Sequence, residues 1–568
     1  MTSQRRIAGI LLCLIIVATL ARDWGVLALD AAPPIYDELE LTRASLLLRH
    51  GLFDSAPDAL NVFFAVTQAS AYPPLMHYVS LVSTIWAAPS LQTPVWSFGL
   101  FSILIILSTY AIARRISDDK YTGVLAAALV SVAPGLDAFS RIYMVDYPLA
   151  AMTTLALALL FATRGFAHWK YSAALGAVVG LGMLTKQSFV IYMVAPVVVF
   201  IAFYFSGEED RARIRVRAGN MTMAAMLALA IAGAWYIPRI QAMMIDRGAI
   251  HQLYRQVETN PPDMLEYVGL FISPTVGPVL ALLAVAGVIF AKRDRLTWTL
   301  IFALVTPLVI LPFLFGFATP RYLLPLAPMA AVLGALGVRR LTGKAFIGAG
   351  LAAVFAGMAA LIVSMIAAPS GPLNFEQQHE RFQFHGMPRP QYVDNKAESI
   401  AEAITHWGGN RRAVLLLDSP LTEGVQAALW EQDVLFPVEN LFEMASLGVV
   451  PAHLSEEADL RRYLRESQVV VYAQGAPTVQ DAYSPEGKVP PYYAERVFKA
   501  LDAVRDRFGQ VRQVPTEGGL MVRVLAHRDS NWLDDIRRAH TPSTPAPAPT
   551  PPPTPEKPDD TVYEVEMK

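Results

Sequence analysis

Charge is scarce in this chain: 17% of its 568 residues are Asp, Glu, Lys or Arg, against about a quarter in an ordinary soluble domain. With 54% hydrophobic residues and a mean hydropathy of +0.38, that shortage excludes a single soluble globule and indicates an integral membrane protein. Cysteine is almost absent. Cys13 stands alone inside the first apolar run, so no intramolecular disulfide and no Cys-based metal site can form. Any domain outside the cell must be stable without such a bond. A formal net charge of -2 offers no basic excess for nucleic acid, and the local placement of Lys and Arg tells more than their sum. The segment beyond residue 368 lacks any GxGxxG, Walker or HExxH pattern.

Long apolar runs are what the chain does have. The first follows MTSQRR and reads IAGILLCLIIVATLARDWGVLAL. Its uninterrupted part, Ile7 to Ala21, is short enough for a signal peptide, but no clear small-x-small cleavage site follows it. With Arg5 and Arg6 held inside, it reads as a span that leaves the next loop outside. Further runs long enough to span lie near 95–113, 121–138, 147–163, 171–185, 188–206, 219–238, 266–290, 296–316, 322–338 and 345–367. The run 73–90, PPLMHYVSLVSTIWAAPS, opens with two prolines and ends in Ala-Pro-Ser. If it does not cross, the loops holding Arg114, Arg115 and Lys120, Arg164 and Lys170, Arg211 to Arg217, Lys292 to Arg295, and Arg339 to Lys344 all fall on the side of Arg5 and Arg6. That arrangement satisfies the positive-inside rule. Residues 73–90 are therefore expected to form an interfacial or re-entrant helix pair. The fold class is a polytopic α-helical membrane protein of about 11–13 spans, with a C-terminal extracytoplasmic α/β domain.

This topology gathers chemistry at one face. The first outer loop, from Asp30 to His77, carries adjacent acids Asp37 and Glu38, then Arg43, then AYPPLMH with Tyr72 and His77. The segment RIYMVDYPL brings Arg141 and Asp146 to the outer loop after the third span. LTKQ puts Lys186 at the outer end of the fifth, and TPRYLLPLAP puts Arg321 at the start of the tenth. Singly, each has a plain reading. Cations at span ends snorkel to headgroups, Asp146 can cap the helix that Pro148 opens, and a His on an interfacial helix is more often amphipathic than reactive. Arg239 belongs to the same face, and the polar loop after it carries His251 and Tyr254, a place for a lid or a simple connector.

Tyr36-Asp37-Glu38, Tyr72-Pro73-Pro74-Leu75, Arg141 to Leu149 around Asp146, Leu184-Thr185-Lys186 and Arg321-Tyr322-Leu323-Leu324-Pro325 occur in this order over residues 1–340. In order and spacing the set resembles the GT-C glycosyltransferases that use lipid-phosphate-linked sugars. More narrowly, it is similar to the bacterial relatives of protein O-mannosyltransferases and lipid A aminoarabinose transferases. The resemblance implies that Asp37 is the essential carboxylate and that Asp146 assists or orients. It also implies a polyprenyl-phosphate sugar as donor, with its lipid tail between spans, and no nucleotide sugar. Two positions depart from the aminoarabinose transferases. Glu40 stands where they carry an Arg three residues after the catalytic Asp, and Tyr72 stands where they carry a Lys before the Pro-Pro pair. Those two are donor-phosphate ligands in that subfamily. Their loss speaks against lipid A modification and leaves the phosphate to Arg43, Arg141, Lys186 or Arg321.

Elementary chemistry asks for the same groups. Sugar transfer with inversion needs a carboxylate to take the acceptor hydroxyl's proton; of the two adjacent acids, Asp37 rather than Glu38 matches the pattern of the family that the chain resembles. The departing phosphate gains charge and needs fixed cations, best supplied by Arg. Tyr72 and His77 are pocket candidates. Paired acids also suit a divalent cation. The acceptor, a protein, lipid or glycan, stays open. So does a small-solute transporter, although transporters place charges near the midplane and often repeat internally, where this chain puts them at span ends. A non-catalytic receptor is the other alternative.

The transmembrane unit is expected over 1–367, with a soluble domain over 368–540 and a tail over 541–568. In the soluble part, strand-like stretches at 413–417, 468–472, 511–514 and 520–525 alternate with helical patterns at 397–407 and 494–508, which argues a small α/β domain. Asp418-Ser419 follows the first strand, where functional loops often sit. TPSTPAPAPTPPPTPEKP, in the tail, is an extended spacer without chemistry.

Overall fold

The computed structural model describes residues 2–29, 37–53, 72–87, 90–206, 210–240, 264–315, 319–341, 343–367, 395–408, 413–416, 425, 428–429, 438–440, 454, 456–474, 491–515 and 521–528. His251, Tyr254, Asp418, Ser419 and the Pro-rich tail lie outside the described residues, as do the side chains of Asp37 and Arg43.

Each apolar run of the first 367 residues becomes helix. In order these are α1 (Thr2–Leu29), α2 (Asp37–Phe53), α3 (Leu75–Trp86), α4 (Phe98–Ser117), α5 (Lys120–Ser131), α6 (Pro134–Phe139), α7 (Asp146–Ala162), α8 (Trp169–Met183), α9 (Phe189–Phe205) and α10 (Arg211–Tyr236). Then follow α11 (Met264–Leu270), α12 (Pro278–Phe290), α13 (Arg295–Leu314), α14 (Ala327–Val338) and α15 (Gly343–Ala367). Among the described residues six helices are long and apolar enough to cross a bilayer singly, and the bent pair α11–α12 together has the length and apolarity of one more. The chain is a multi-pass membrane protein. At 12 residues α3 is too short to cross.

Two expected spans are broken, both by proline. The run 121–138 stops at Ser131 and restarts at Pro134, with Ala133 extended, because the residue before a proline avoids the helical region. The run 266–290 turns by 115° between α11 and α12. Pro274, then Gly277 at φ +81° followed by Pro278, removes the amides and the right-handed backbone that continuity requires.

Contacts sort the helix ends. Asp119 caps α5 by accepting from the Thr122 amide at 3.0 Å, and Arg339 lies 3.5 Å from the same carboxylate. Partial burial pushes the Asp119 carboxyl up, but the Thr122 hydroxyl, the two capped amides and Arg339 outweigh it and hold it below the usual range. Arg217 and Arg295 both lie against the Tyr204 ring, and Asn220 donates to the Phe166 carbonyl. The basic loops thus share one end of the bundle.

The tightest helix pair is α12 against α14. A Cβ at Gly287 would overlap the Leu333 carbonyl, while Gly337 faces the Gly287 amide. Gly287→Ala is therefore expected to cost about 1–3 kcal/mol by overpacking, read as a lowered unfolding temperature in detergent. An unchanged midpoint would contradict this backbone contact.

The C-terminal part has its own core. Helices α16 (Asn395–Gly408), α17 (Glu457–Arg465) and α18 (Pro491–Ala503) accompany strands β1 (Ala413–Leu416), β2 (Val438–Asn440), β3 (Val469–Gln474), β4 (Phe508–Pro515) and β5 (Met521–His527). The sheet order is β2-β1-β3-β5-β4, with β1 parallel to β2 and β3, and β5 antiparallel to β3 and β4. Ile400, Ile404, Leu460, Leu464, Val497 and Leu501 pack with the buried strand residues Val414, Leu415, Val470 and Val471. The expected helix 494–508 ends at Ala503, and Phe508 instead opens β4. Strand β2 was not legible in advance, since three residues with a Glu at their centre carry no alternation.

Candidate active site

At the bundle end opposite the basic loops, the separated motifs meet. The first link is backbone: the Leu75 amide of the Tyr-Pro-Pro-Leu segment donates to the Leu184 carbonyl of Leu-Thr-Lys at 2.9 Å. This positions Lys186, two residues on, whose ammonium donates to Asp146 Oδ1 at 2.7 Å. Asp146 is fully buried at the first turn of α7, and Pro148 follows within that turn. It is not the helix cap, because Val145 holds that place and the Asp146 side chain reaches across to the lysine instead. Asp146 Oδ2 is buried and has no hydrogen-bond partner among the described residues.

Aromatic rings complete this side. The Lys186 ammonium lies 4.9 Å above the centre of the Tyr322 ring, and the Arg321 guanidinium lies 5.4 Å from it. Tyr322 stacks on Phe315 at 4.3 Å, and its carbonyl accepts from the Tyr192 hydroxyl at 2.6 Å. Two of the expected phosphate cations therefore lie against the same aromatic ring beside a buried carboxylate. A half-buried site of this kind strengthens charge interactions relative to water.

The segment that follows α1 joins from the other side. Asp37 is the first residue of α2. One residue on, Glu38 Oε1 accepts the Tyr143 backbone amide at 2.7 Å, three residues before Asp146. His77, on α3, is fully buried with Nδ1 2.7 Å from the Ser45 hydroxyl of α2. Tyr72 is half-buried against the membrane core. Arg43 lies on α2. Among the described residues no three His, Cys, Asp or Glu side chains group as metal ligands.

Arg141 occupies a different cluster from the other expected phosphate cations. Its guanidinium donates to Asp137 at 2.8 Å, and Asp137 also meets Arg22 Nε at 2.9 Å. Arg22 in turn holds Asp23 at 2.8 Å and donates to the Ser131 carbonyl at 2.9 Å. Asp137 is 0% exposed at its side chain and Arg141 6%, with Arg22 at 26% on the rim, so this is a largely buried four-charge network tying α1 to α6 and to the turn before Asp146. Sequence reasoning missed Arg22, Asp23 and Asp137. The signals were an Arg-Asp pair within a span and an Asp four residues before Arg141.

Comparison with known proteins follows the same lines. Residues 72–236 match the family of dolichyl-phosphate-mannose-protein mannosyltransferases. By sequence no curated protein matches the chain. By structure the chain is similar to ArnT from Cupriavidus metallidurans bound to undecaprenyl phosphate, with TM-score 0.54 and 14% identity over 90% of this chain and 97% of that one. The apo form of that protein gives 0.55 and 13% over the same shares. The Archaeoglobus fulgidus oligosaccharyltransferase lies further off, at TM-score 0.47 and 13% identity, over 92% of this chain and 74% of that one. At these identities the likeness is one of fold: the chain shares the fold of ArnT.

Proposed function

We propose that this chain transfers a sugar from a polyprenyl-phosphate donor to an acceptor hydroxyl at the outer face of a bacterial plasma membrane. The observation that carries the reading is the buried Asp146–Lys186 pair beside Arg321 and Tyr322, set in a fold shared with ArnT, whose crystal structure holds undecaprenyl phosphate. A polyprenyl donor is confined to the bilayer, which accounts for a site at the bundle end rather than in the soluble domain.

The acceptor oxygen forms a bond to the anomeric carbon as the bond from that carbon to the phosphate oxygen breaks. The bonding pair leaves with the polyprenyl phosphate, and the hydroxyl proton passes to a carboxylate. Asp37 takes this proton as general base. Lys186 and Arg321, with Arg43 from α2, bear the charge that develops on the leaving phosphate. Asp146 orients Lys186 through Oδ1, while Oδ2 is left to a substrate hydroxyl. The basic loops face the cytoplasm, and the C-terminal α/β domain stands outside with the site.

The test is to incubate the purified protein in liposomes with radiolabelled polyprenyl-phosphate hexoses and pentoses, then trace the label by mass spectrometry. Movement of sugar from the lipid onto a protein, lipid or glycan acceptor is the expected result. Binding of these donors without transfer to any acceptor class would overturn the reading.

A further inference from the structure

Helix α2 carries Asp37 and Glu38, and its attachment is unusual in kind. Its inward stripe holds Leu41, Thr42, Ser45 and Leu48, all buried. Two leucines decide which side of a helix faces inward, but grease tolerates rotation about the helix axis. Directional bonds do not.

Those bonds lie along the same stripe. Glu38 accepts the Tyr143 amide at 2.7 Å, and Arg49 Nε donates to the Thr84 carbonyl of α3 at 3.0 Å. Between them sits a three-group knot. The Ser45 hydroxyl is 2.7 Å from His77 Nδ1, 2.7 Å from the Tyr143 hydroxyl and 3.2 Å from the Leu41 carbonyl. Ser45 has one proton to give, so at least one of His77 and Tyr143 must donate to it, which orients all three. The Tyr143 hydroxyl also reaches the Met76 carbonyl of α3 at 3.3 Å. Ser45, His77 and Tyr143 are buried, where an unmade hydrogen bond is costly and alternative arrangements are few.

We infer that the Ser45–His77–Tyr143 knot is a latch that sets the rotation of α2 against α3 and the 141–145 turn, and so places Asp37 relative to Asp146. Tyr143 stands three residues before Asp146, and His77 two residues after Leu75, whose amide holds the Leu184 carbonyl near Lys186. The latch therefore touches the segments of Asp37 and Asp146 directly, and the Lys186 segment only by way of Leu75. These are positioning residues. They act through the acids, where misplacement by about 1 Å costs about 10²-fold in rate.

The inference rests on the proposed transfer reaction for its consequence, but not for its geometry, and the test separates the two. In the full-length protein, hydrogen–deuterium exchange over residues 37–53 and 146–162 is measured for the native chain, Tyr143→Phe, Ser45→Ala and Ser45→Thr. Phe at 143 keeps the ring packed on Phe98, 5.3 Å away, and removes only the hydroxyl. The expected result is faster exchange in 37–53 for Tyr143→Phe and Ser45→Ala, with 146–162 unchanged. Alongside it kcat should fall about 10–100-fold, with the donor KM within about threefold. Ser45→Thr, which retains the hydroxyl, should recover most of both. Unchanged exchange, a rise spread over the whole protein, or looser α2 with native kcat would each overturn the latch. Should the native chain transfer no sugar, the reaction reading falls, and the exchange difference alone decides the latch.

Discussion

Asp37→Asn is expected to lower kcat for sugar transfer by about 10²–10⁴-fold, the usual worth of a general base, while expression and donor binding stay as in the native protein. Asn keeps the size of the side chain at the first turn of α2 and removes only its power to accept a proton. The neighbouring acid supplies the control. Glu38 already spends an oxygen on the Tyr143 amide, and Gln preserves an acceptor in that place, so Glu38→Gln should lose far less. The measurement is single-turnover transfer from labelled donor, with donor affinity determined separately so that chemistry and binding are not confused. Equal losses in the two variants would reassign the base, and full activity in Asp37→Asn would remove this residue from the mechanism.

Asp137→Ala is expected to destabilise the membrane domain by about 3–5 kcal/mol, because it leaves a buried positive charge without its partner. The network holds Arg22 and Arg141 against Asp23 and Asp137, two charges of each sign. Removing Asp137 leaves an excess of one cation in a region with little water. Removing Arg141 as well restores balance, since Arg22 retains Asp23. The double variant Asp137→Ala/Arg141→Ala is therefore expected to be more stable than the single one, a coupling of opposite sign to simple additivity. Thermal unfolding in detergent reads both. A double variant less stable than Asp137→Ala would show that Arg141 is held by something other than this charge pair.

Much of this architecture follows from patterns with a short range. Apolar runs of span length must be helical in lipid, since no water is there to satisfy a backbone amide. The positions of prolines also mark where those helices break, although the expected continuous runs 121–138 and 266–290 underrated them. In the C-terminal part, the near-continuous apolar runs of β1 and β3 are legible as buried strands, whereas the polar, three-residue β2 offers no period to detect.

The order of the five motifs along the chain was enough to suggest lipid-phosphate chemistry and to single out Asp146, Lys186 and Arg321. Which of them pair was not contained in that order. Lys186 and Asp146 are 40 positions apart, Ser45 and Tyr143 are 98, and Arg22 reaches Ser131 across 109. A contact of that separation depends on how α1, α2 and α3 pack around the turn before α7, and no local period encodes it. Hydropathy determines that a segment enters the membrane and roughly where it stops. Only the packed bundle decides that Lys186 answers Asp146 and that Arg141 answers Asp137, because a buried charge takes whichever counter-charge the tertiary fold brings within hydrogen-bond reach.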